Sequence, residues 1–180
     1  ELKHIADKDA MFKNPKFTND KELIYGGLAH IDAAYGGEDA TAFTAFHKLK
    51  DGRIIGFGKR WERHVDECLA EIKSLHVNLR LGSISCEKNA DKGYLAKELR
   101  DMGFMTNLYS ENMNKYIKIS TYLKKEWNNI TWLEDTDPEY INEILDYNEF
   151  AEHDDSPDSA ASLLRKMENS IRFNPVKGVI

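Results

Sequence analysis

Two runs rich in β-branched and aromatic residues, Thr41–Leu49 (TAFTAFHKL) and Arg53–Trp61, flank the tripeptide Lys50-Asp51-Gly52. Residues of this kind suit a pleated, half-buried surface, and a short Gly-containing connection between two such runs specifies a hairpin. The run Leu23–Asp32 precedes the pair and reads as a further strand, with glycines where a bulge or close approach is tolerated. Tyr35-Gly36-Gly37-Glu38-Asp39 makes the turn between them. The chain is thus restricted to folds that begin with a three-stranded antiparallel meander, whose leading strand carries Asp32.

Beyond the meander, helices and strands alternate. Val65, Cys68, Leu69, Ile72 and Leu75 recur at helical spacing, and Val77–Glu87 reads as a strand with Leu79, Leu81 and Ile84 as its apolar positions. A helix is expected from Asp91 to Met102, stopped by Gly103, then a short strand over Phe104–Tyr109. Asn114–Trp127 places Tyr116, Ile119, Leu123 and Trp127 on one helical stripe; Ile130–Leu133 is a last strand. Pro138 suits the first turn of a helix ending near Asp146, and a closing helix is expected from Ser156 to Ser170. The order βββαβαβαβαα predicts an α/β fold, a mixed sheet flanked by helices.

At 180 residues the chain has the size of one domain, taken as 23–180 behind a charged, linker-like lead-in over residues 1–22 with room for one helical turn. No apolar run approaches the ~18 residues that cross a membrane, so no membrane partner is expected. Cys68 and Cys86 fall in no metal or redox spacing and are expected to be reduced core thiols of a cytosolic protein. The net charge of −6 disfavours a general nucleic-acid coat protein, but not a nuclease whose acids are neutralised by metal. The chain opens at Glu1 without a methionine, and the expectation is a piece of a longer protein.

Three acidic features carry the candidate chemistry. Asp32 sits within an apolar strand (Leu28, Ala29, Ile31, then Ala33, Ala34), where an ionised carboxylate is costly unless paired or metal-bound. Glu87 ends another mostly apolar segment, Ser83-Ile84-Ser85-Cys86. His153-Asp154-Asp155-Ser156-Pro157-Asp158 packs three carboxylates and an imidazole ahead of the apolar run from Ala160. A helix N-terminus welcomes anions, yet this is more acid than a cap requires. Each feature also has an ordinary reading: a strand-end cap, an exposed strand-end acid, and an acidic first turn with Ser156 or Asp155 as cap and Pro157 next.

Taken together, the acids favour oxygen-only ligation of hard cations, Mg²⁺ first and Mn²⁺ as substitute. If the first strand and the one after the first helix lie side by side, Asp32 and Glu87 meet while the last helix delivers Asp155 and Asp158. Two such ions about 4 Å apart serve phosphodiester hydrolysis. Other metal patterns fail. The segment from Asp154 has Ser159 and Arg165 where a calcium loop needs Gly and Glu, and the one from Asp135 has Tyr140 at its sixth position. There is no HExxH, no cysteine–histidine zinc spacing, and no phosphate-binding GxxxxGK[ST] loop. Lys115, Lys118, Lys124 and Lys125 crowd one helix, and Lys59, Arg60 and Arg63 follow the third strand. Both groups are candidate contacts for a DNA backbone, or simply solvated faces.

The element order resembles the ribonuclease H-like fold. The run His30-Ile31-Asp32-Ala33-Ala34-Tyr35-Gly36-Gly37-Glu38-Asp39-Ala40-Thr41-Ala42 resembles the first nuclease motif of large terminase subunits from tailed bacteriophages. His153-Asp154-Asp155-Ser156-Pro157-Asp158-Ser159-Ala160-Ala161 is similar to that family's last motif, and Glu87-Lys88-Asn89-Ala90-Asp91-Lys92-Gly93 to its middle one. Together these resemblances span roughly residues 24–170. They imply the C-terminal nuclease domain of such a subunit, a metal-dependent endonuclease that cuts concatemeric viral DNA during genome packaging. On that footing Asp32 bridges two Mg²⁺ or Mn²⁺ ions, Glu87 is the second acid, and Asp155 and Asp158 compete for the third place with Asp154 behind. His153 becomes a candidate auxiliary group, as orienter of an acid or phosphate contact. Implied partners are double-stranded DNA, an ATPase motor domain of the same full-length protein, the portal and the small terminase subunit, in the host cytoplasm. The competing functions are another ribonuclease H-like nuclease, such as a junction resolvase or transposase core, and a non-catalytic adaptor whose acids only solvate helix ends.

Overall fold

The structure, a computed structural model, describes residues 10–37, 39–88 and 93–173. Among these residues seven strands form one mixed sheet: β1 (Lys16–Thr18), β2 (Leu28–Asp32), β3 (Thr41–Lys48), β4 (Ile54–Trp61), β5 (Ile84–Glu87), β6 (Thr106–Tyr109) and β7 (Ile130–Leu133). Their spatial order is β1-β7-β4-β3-β2-β5-β6. The hairpin forms where its turn residues place it, with Lys48 opposite Ile54 and Gly52 in the left-handed conformation (φ 93°) that the tight turn needs. β2 pairs antiparallel with β3 and parallel with β5, so the leading strand and the strand after the first helix are neighbours.

Among the described residues, five longer helical elements cover the sheet. They are α1 (Leu69–Asn78), α2 (Tyr94–Asp101), α3 (a run over 115–129), α4 (Pro138–Leu145) and α5 (Asp155–Phe173). A short 3-10 turn, Val65–Glu67, leads into α1. α3 is composite: Lys115–Lys118, a π-helical stretch Ile119–Leu123, Lys124–Glu126 and a 3-10 turn Trp127–Asn129. The helices divide between the two faces, and so does the core. Ile31, Phe43, Ala45 and Phe57 meet Ile72, Leu95 and Leu99 on one face. Phe46, Trp132, Ile119, Leu123, Tyr140, Ala160 and Leu164 pack on the other. No helix among the described residues is long and apolar enough to cross a membrane.

Alternation along each strand decides which residues face α5. On β3, Phe43 and Ala45 point to the α1 side, which leaves Ala42, Thr44 and Phe46 on the α5 side. Small residues there let the helices come close. A Cβ on Gly58 would lie 2.2 Å from the Tyr140 ring, so α4 can approach β4 only over a glycine.

Four expectations are corrected. The lead-in is not wholly linker-like: Phe12 is buried against Trp127, and β1 adds a parallel strand beside β7. A strand of three residues beyond a charged segment carries too little periodicity to be read from sequence. Residues Lys21–Ile24 form a 3-10 turn capped by Asp20, so the leading strand begins at Leu28 rather than Leu23. The expected long strand from Val77 is only Ile84–Glu87, because α1 continues to Asn78 and Leu79 and Leu81 face the core from a loop. The closing helix starts at Asp155, so Asp154 precedes it and Pro157 is its third residue, where an amide N–H is still unneeded. Residues 1–9, Glu38 and 89–92 of the quoted segments lie outside the described residues.

Candidate functional site

The acids converge at the C-terminal ends of β2 and β5. The parallel register aligns Ile31 with Cys86, and one further step sets Asp32 beside Glu87. Both side chains share the α5 face, since Ile31 and Cys86 belong to the opposite core. Ala42 stands across from Asp32 on β3, and Arg60 across from Ala42 on β4, so one row runs Glu87, Asp32, Ala42, Arg60. The first turn of α5 lies over this row and brings Asp155 and Asp158.

Several contacts fix that first turn. Ala40 donates its N–H to Asp155 Oδ2 at 3.2 Å, and Ser156 donates its N–H to Glu143 on α4. Glu143 is in turn paired with Arg60 at 2.7 Å, both nearly buried. One turn further along, a hydrogen-bonded chain crosses beneath the acids. Tyr140 and Thr44 share a bond of 2.6 Å, Thr44 donates to Ser159 at 2.9 Å, and Ser159 meets His30 Nδ1 at 2.8 Å. His30 Nε2 then reaches the Tyr109 hydroxyl at 2.6 Å. Burial, with Lys118 and Lys166 nearby, pulls His30 down to about 3, so it is a neutral spacer between two hydroxyls.

The electrostatics distinguish the acids from one another. Asp32 Oδ2 is sealed from solvent and has no hydrogen-bond partner among the described residues. Burial first, then Asp158 and Asp155, hold the Asp32 carboxyl well above the usual range against the pull of Lys115 and Lys118. Burial likewise raises Asp155 to about 6, opposed by the Ala40 N–H, and raises Glu87, opposed by Lys118. Asp158, 4% exposed, is different: Lys118 Nζ lies 2.6 Å from its Oδ1 and Lys115 Nζ 3.7 Å from its Oδ2. Lys115 also reaches Asp154 at 3.2 Å. Burial lowers Lys115, but Asp158, Asp154 and Asp32 outweigh it and hold the ammonium above its usual range.

Among the described residues no three His, Cys, Asp or Glu side chains form a ready-made metal cluster. Carboxylates facing one another in a low-dielectric setting repel, and two lysines offset part of that charge. The donor set still fits a hard cation, because Asp32 presents a buried oxygen that no described residue satisfies, with Glu87 and Asp155 as further oxygen donors nearby. His153 is exposed at the rim of a cavity lined by Arg60, Glu143 and Asp146, at the Arg60 end of the row.

The lysines do not form one basic face. Lys118 is buried, which is a correction to its place among solvated phosphate contacts: the π-helical stretch after it turns its stem inward to Asp158 and Glu111. Lys115, Lys124 and Lys125 are exposed, Lys115 pairing with Asp154 and Lys125 with Glu168 of α5. Lys59 and Arg63 both pair with Glu71. Sequence reasoning also missed Glu111, which binds Arg165 of α5 and faces Lys118. A lysine directly before the apolar positions Ile119 and Leu123 was the available signal for burial.

Comparison with protein-family models and with curated proteins found no match. Solved structures do match in fold. The large terminase nuclease from thermophilic phage G20c, with bound zinc, superposes at a TM-score of 0.59 with 16% identity, over 87% of this chain and 94% of that one. The nuclease domain of the bacteriophage SPP1 large terminase, with bound Mn, gives 0.59 at 11% identity, over 87% and 95%. A large terminase from a second thermophilic bacteriophage, in complex with ATP-γ-S, gives 0.60 at 12%, over 86% of this chain but 44% of that one. The chain therefore has the ribonuclease H-like fold of terminase nuclease domains, as its element order suggested.

Proposed function

We propose that this chain is a divalent-metal-dependent DNA endonuclease, the nuclease domain of a large terminase subunit that cuts concatemeric viral DNA during packaging in the host cytoplasm. The observation that carries the reading is Asp32 Oδ2, a buried carboxylate oxygen without a partner among the described residues, on a fold shared with nuclease domains solved with metals. An unpaired buried carboxylate costs stability, and a cation is the partner that would remove the cost.

Asp32 would anchor Mg²⁺ or Mn²⁺, with Glu87 beside it on β5 and Asp155 arriving from α5. Held by these acids, a divalent ion would contribute activation of water and stabilisation of charge on the phosphate. The protein's own work is positioning. The Tyr140–Thr44–Ser159–His30–Tyr109 chain ties α5 to β2, β3 and β6, so the helix-borne and sheet-borne acids are held in register. Lys115, exposed beside Asp154 and Asp158, would hold a backbone phosphate without reading sequence. The motor domain, portal and small subunit would supply the DNA and its direction of travel.

Nicking of supercoiled plasmid tests the reading. The wild-type chain should nick in Mn²⁺ and stop in EDTA, and Asp32→Ala should be inactive. Cleavage that persists in Asp32→Ala refutes it. A preference for a four-way junction or an RNA–DNA hybrid over duplex would move the assignment to another ribonuclease H-like nuclease.

A further inference from the structure

We infer that the cavity between the end of β6 and the middle of α5, with Lys166 on its wall, is a phosphate subsite that holds the DNA backbone beside the acids. The inference rests on the nuclease reading above and adds to it a contact outside the acidic site.

The row of the acidic site does not end at Glu87. Register sets Tyr109 of β6 beside Glu87, and Leu108 packs in the opposite core, so the row runs Tyr109, Glu87, Asp32, Ala42, Arg60. Beyond Tyr109 opens a cavity of about 380 Å³, lined by Ser110 and Glu111 after β6 and by Arg165, Lys166 and Asn169 of α5. Neighbouring strands lie about 4.8 Å apart, so Tyr109 stands roughly 10 Å from Asp32. The helix gives the same scale: Asp158 and Lys166 lie at i and i+8 on α5, about 12 Å apart along its axis. At about 3.4 Å of duplex axis per nucleotide, the cavity is some three nucleotides from a phosphate held at the acids.

Charge singles out this end of the row. Glu111 is the one carboxylate on the cavity wall among the described residues; Arg165 binds it, and Lys118 faces it at 3.9 Å. Lys166 is therefore surplus positive charge. Its Nζ lies 5.5 Å from the centroid of the Tyr109 ring, and no carboxylate among the described residues acts on it. A half-buried ammonium of this kind has given up water without gaining an anion, and burial holds it below the usual lysine range, opposed by Cys86. A phosphodiester in the cavity would supply the missing counter-ion, with the Asn169 amide and the Ser110 hydroxyl as further donors. Such a contact positions the backbone and reads no base. The cavity at the opposite end of the row is lined by Glu62, Glu139, Glu143 and Asp146, a setting that repels phosphate.

Lys166→Met keeps the stem and removes the charge. Anisotropy of a fluorescein-labelled duplex, read in EDTA so that no strand is cut, gives the slope of log K against log salt. Losing one phosphate contact should make that slope shallower by about 0.9, so the wild-type advantage shrinks about 3.5-fold between 50 and 200 mM salt. Lys166→Gln should give the same slope, Lys166→Arg should keep that of wild type, and the melting temperature of Lys166→Met without DNA should not fall. An unchanged slope in folded Lys166→Met overturns the inference, as does a Lys166→Arg that loses the contact equally. If the slope is unchanged while inorganic phosphate stabilises wild type and not Lys166→Met, the cavity takes a free anion instead. Nicking in Mn²⁺ is scored separately. A wild type that nicks while the slopes agree keeps the nuclease reading and loses the subsite; one that shows the slope change but never nicks keeps the subsite and loses that reading.

Discussion

Replacing Asp32 with asparagine removes a charge and keeps the shape of the side chain, and in the absence of metal it should make the protein more stable. The cost it relieves is a buried carboxylate oxygen with no partner among the described residues, pressed by Asp158 and Asp155. Leaving a buried polar group unsatisfied costs about 1–3 kcal/mol, and a charged one more. For a chain of this size each kcal/mol moves Tm by about 2–4 °C, so Asp32→Asn should melt about 3–10 °C above wild type in EDTA at pH 7–8. Linkage sets the sign. The folded Asp32 pKa lies above its ordinary value of 3.8, so folding favours the protonated acid and wild-type stability falls as pH rises through that interval. The advantage of Asp32→Asn should therefore vanish near pH 4 and open toward pH 8. Mn²⁺ reverses the comparison: at 100 times its Kd a ligand of the native state adds about 2.7 kcal/mol, which wild type should gain and Asp32→Asn should not. Differential scanning fluorimetry over pH, with EDTA or Mn²⁺, measures all of this. An Asp32→Asn protein that is less stable than wild type in EDTA at pH 8, or that responds to Mn²⁺ as wild type does, overturns the assignment of an unsatisfied charge to Asp32.

Other perturbations probe the scaffold under the acids. Asp158→Ala removes the 2.6 Å partner of buried Lys118 and leaves it only Glu111 at 3.9 Å; it should cost about 3 kcal/mol in urea unfolding, whereas Asp158→Ala combined with Lys118→Met should recover much of the loss. Neutral His30 contributes stability that is present above pH 6.5 and lost as pH falls toward its folded value of about 3. Its share of the loss between pH 7 and pH 5 is about 2 kcal/mol, and His30→Gln should flatten the acid limb of Tm against pH by that amount. Gly58→Ala drives a methyl into the Tyr140 ring, which must shift away from Thr44; a destabilisation of about 1–3 kcal/mol by chemical denaturation is expected.

The sheet was largely legible because its signals are local. The Lys50-Asp51-Gly52 turn, the alternation in β3 and Pro138 at the start of α4 each act within about ten residues, and each appears where the sequence places it; the apolar spacing from Val65 gives α1, whose α-helical part begins at Leu69. The failures are also physical. β1 exists because β7 offers an edge, a tertiary cause that three residues cannot announce. Leu79 and Leu81 are as apolar as strand residues, yet they fill the core from a loop, and composition does not distinguish the two.

The acidic row shows the same division. That Asp32 and Glu87 would lie side by side follows from parity and strand adjacency, and the register of β2 and β5 agrees. The cation already among them is invisible in the sequence. Lys118 reads there as one of four solvated lysines, and only the π-helical stretch and the position of Glu111 turn it inward. The surplus acidity at the start of α5 is thereby explained in part: Asp154 and Asp158 are matched by Lys115 and Lys118, and Asp155 accepts the Ala40 N–H.

Anomalous diffraction from crystals soaked in Mn²⁺ tests the metal site without intermediaries. An ion is expected at about 2.1 Å from an oxygen of Asp32, with Glu87 or Asp155 as a further ligand and Lys118 still beside Asp158. Mn²⁺ bound elsewhere, with Asp32 free of it, would contradict the metal-dependent reading at its root.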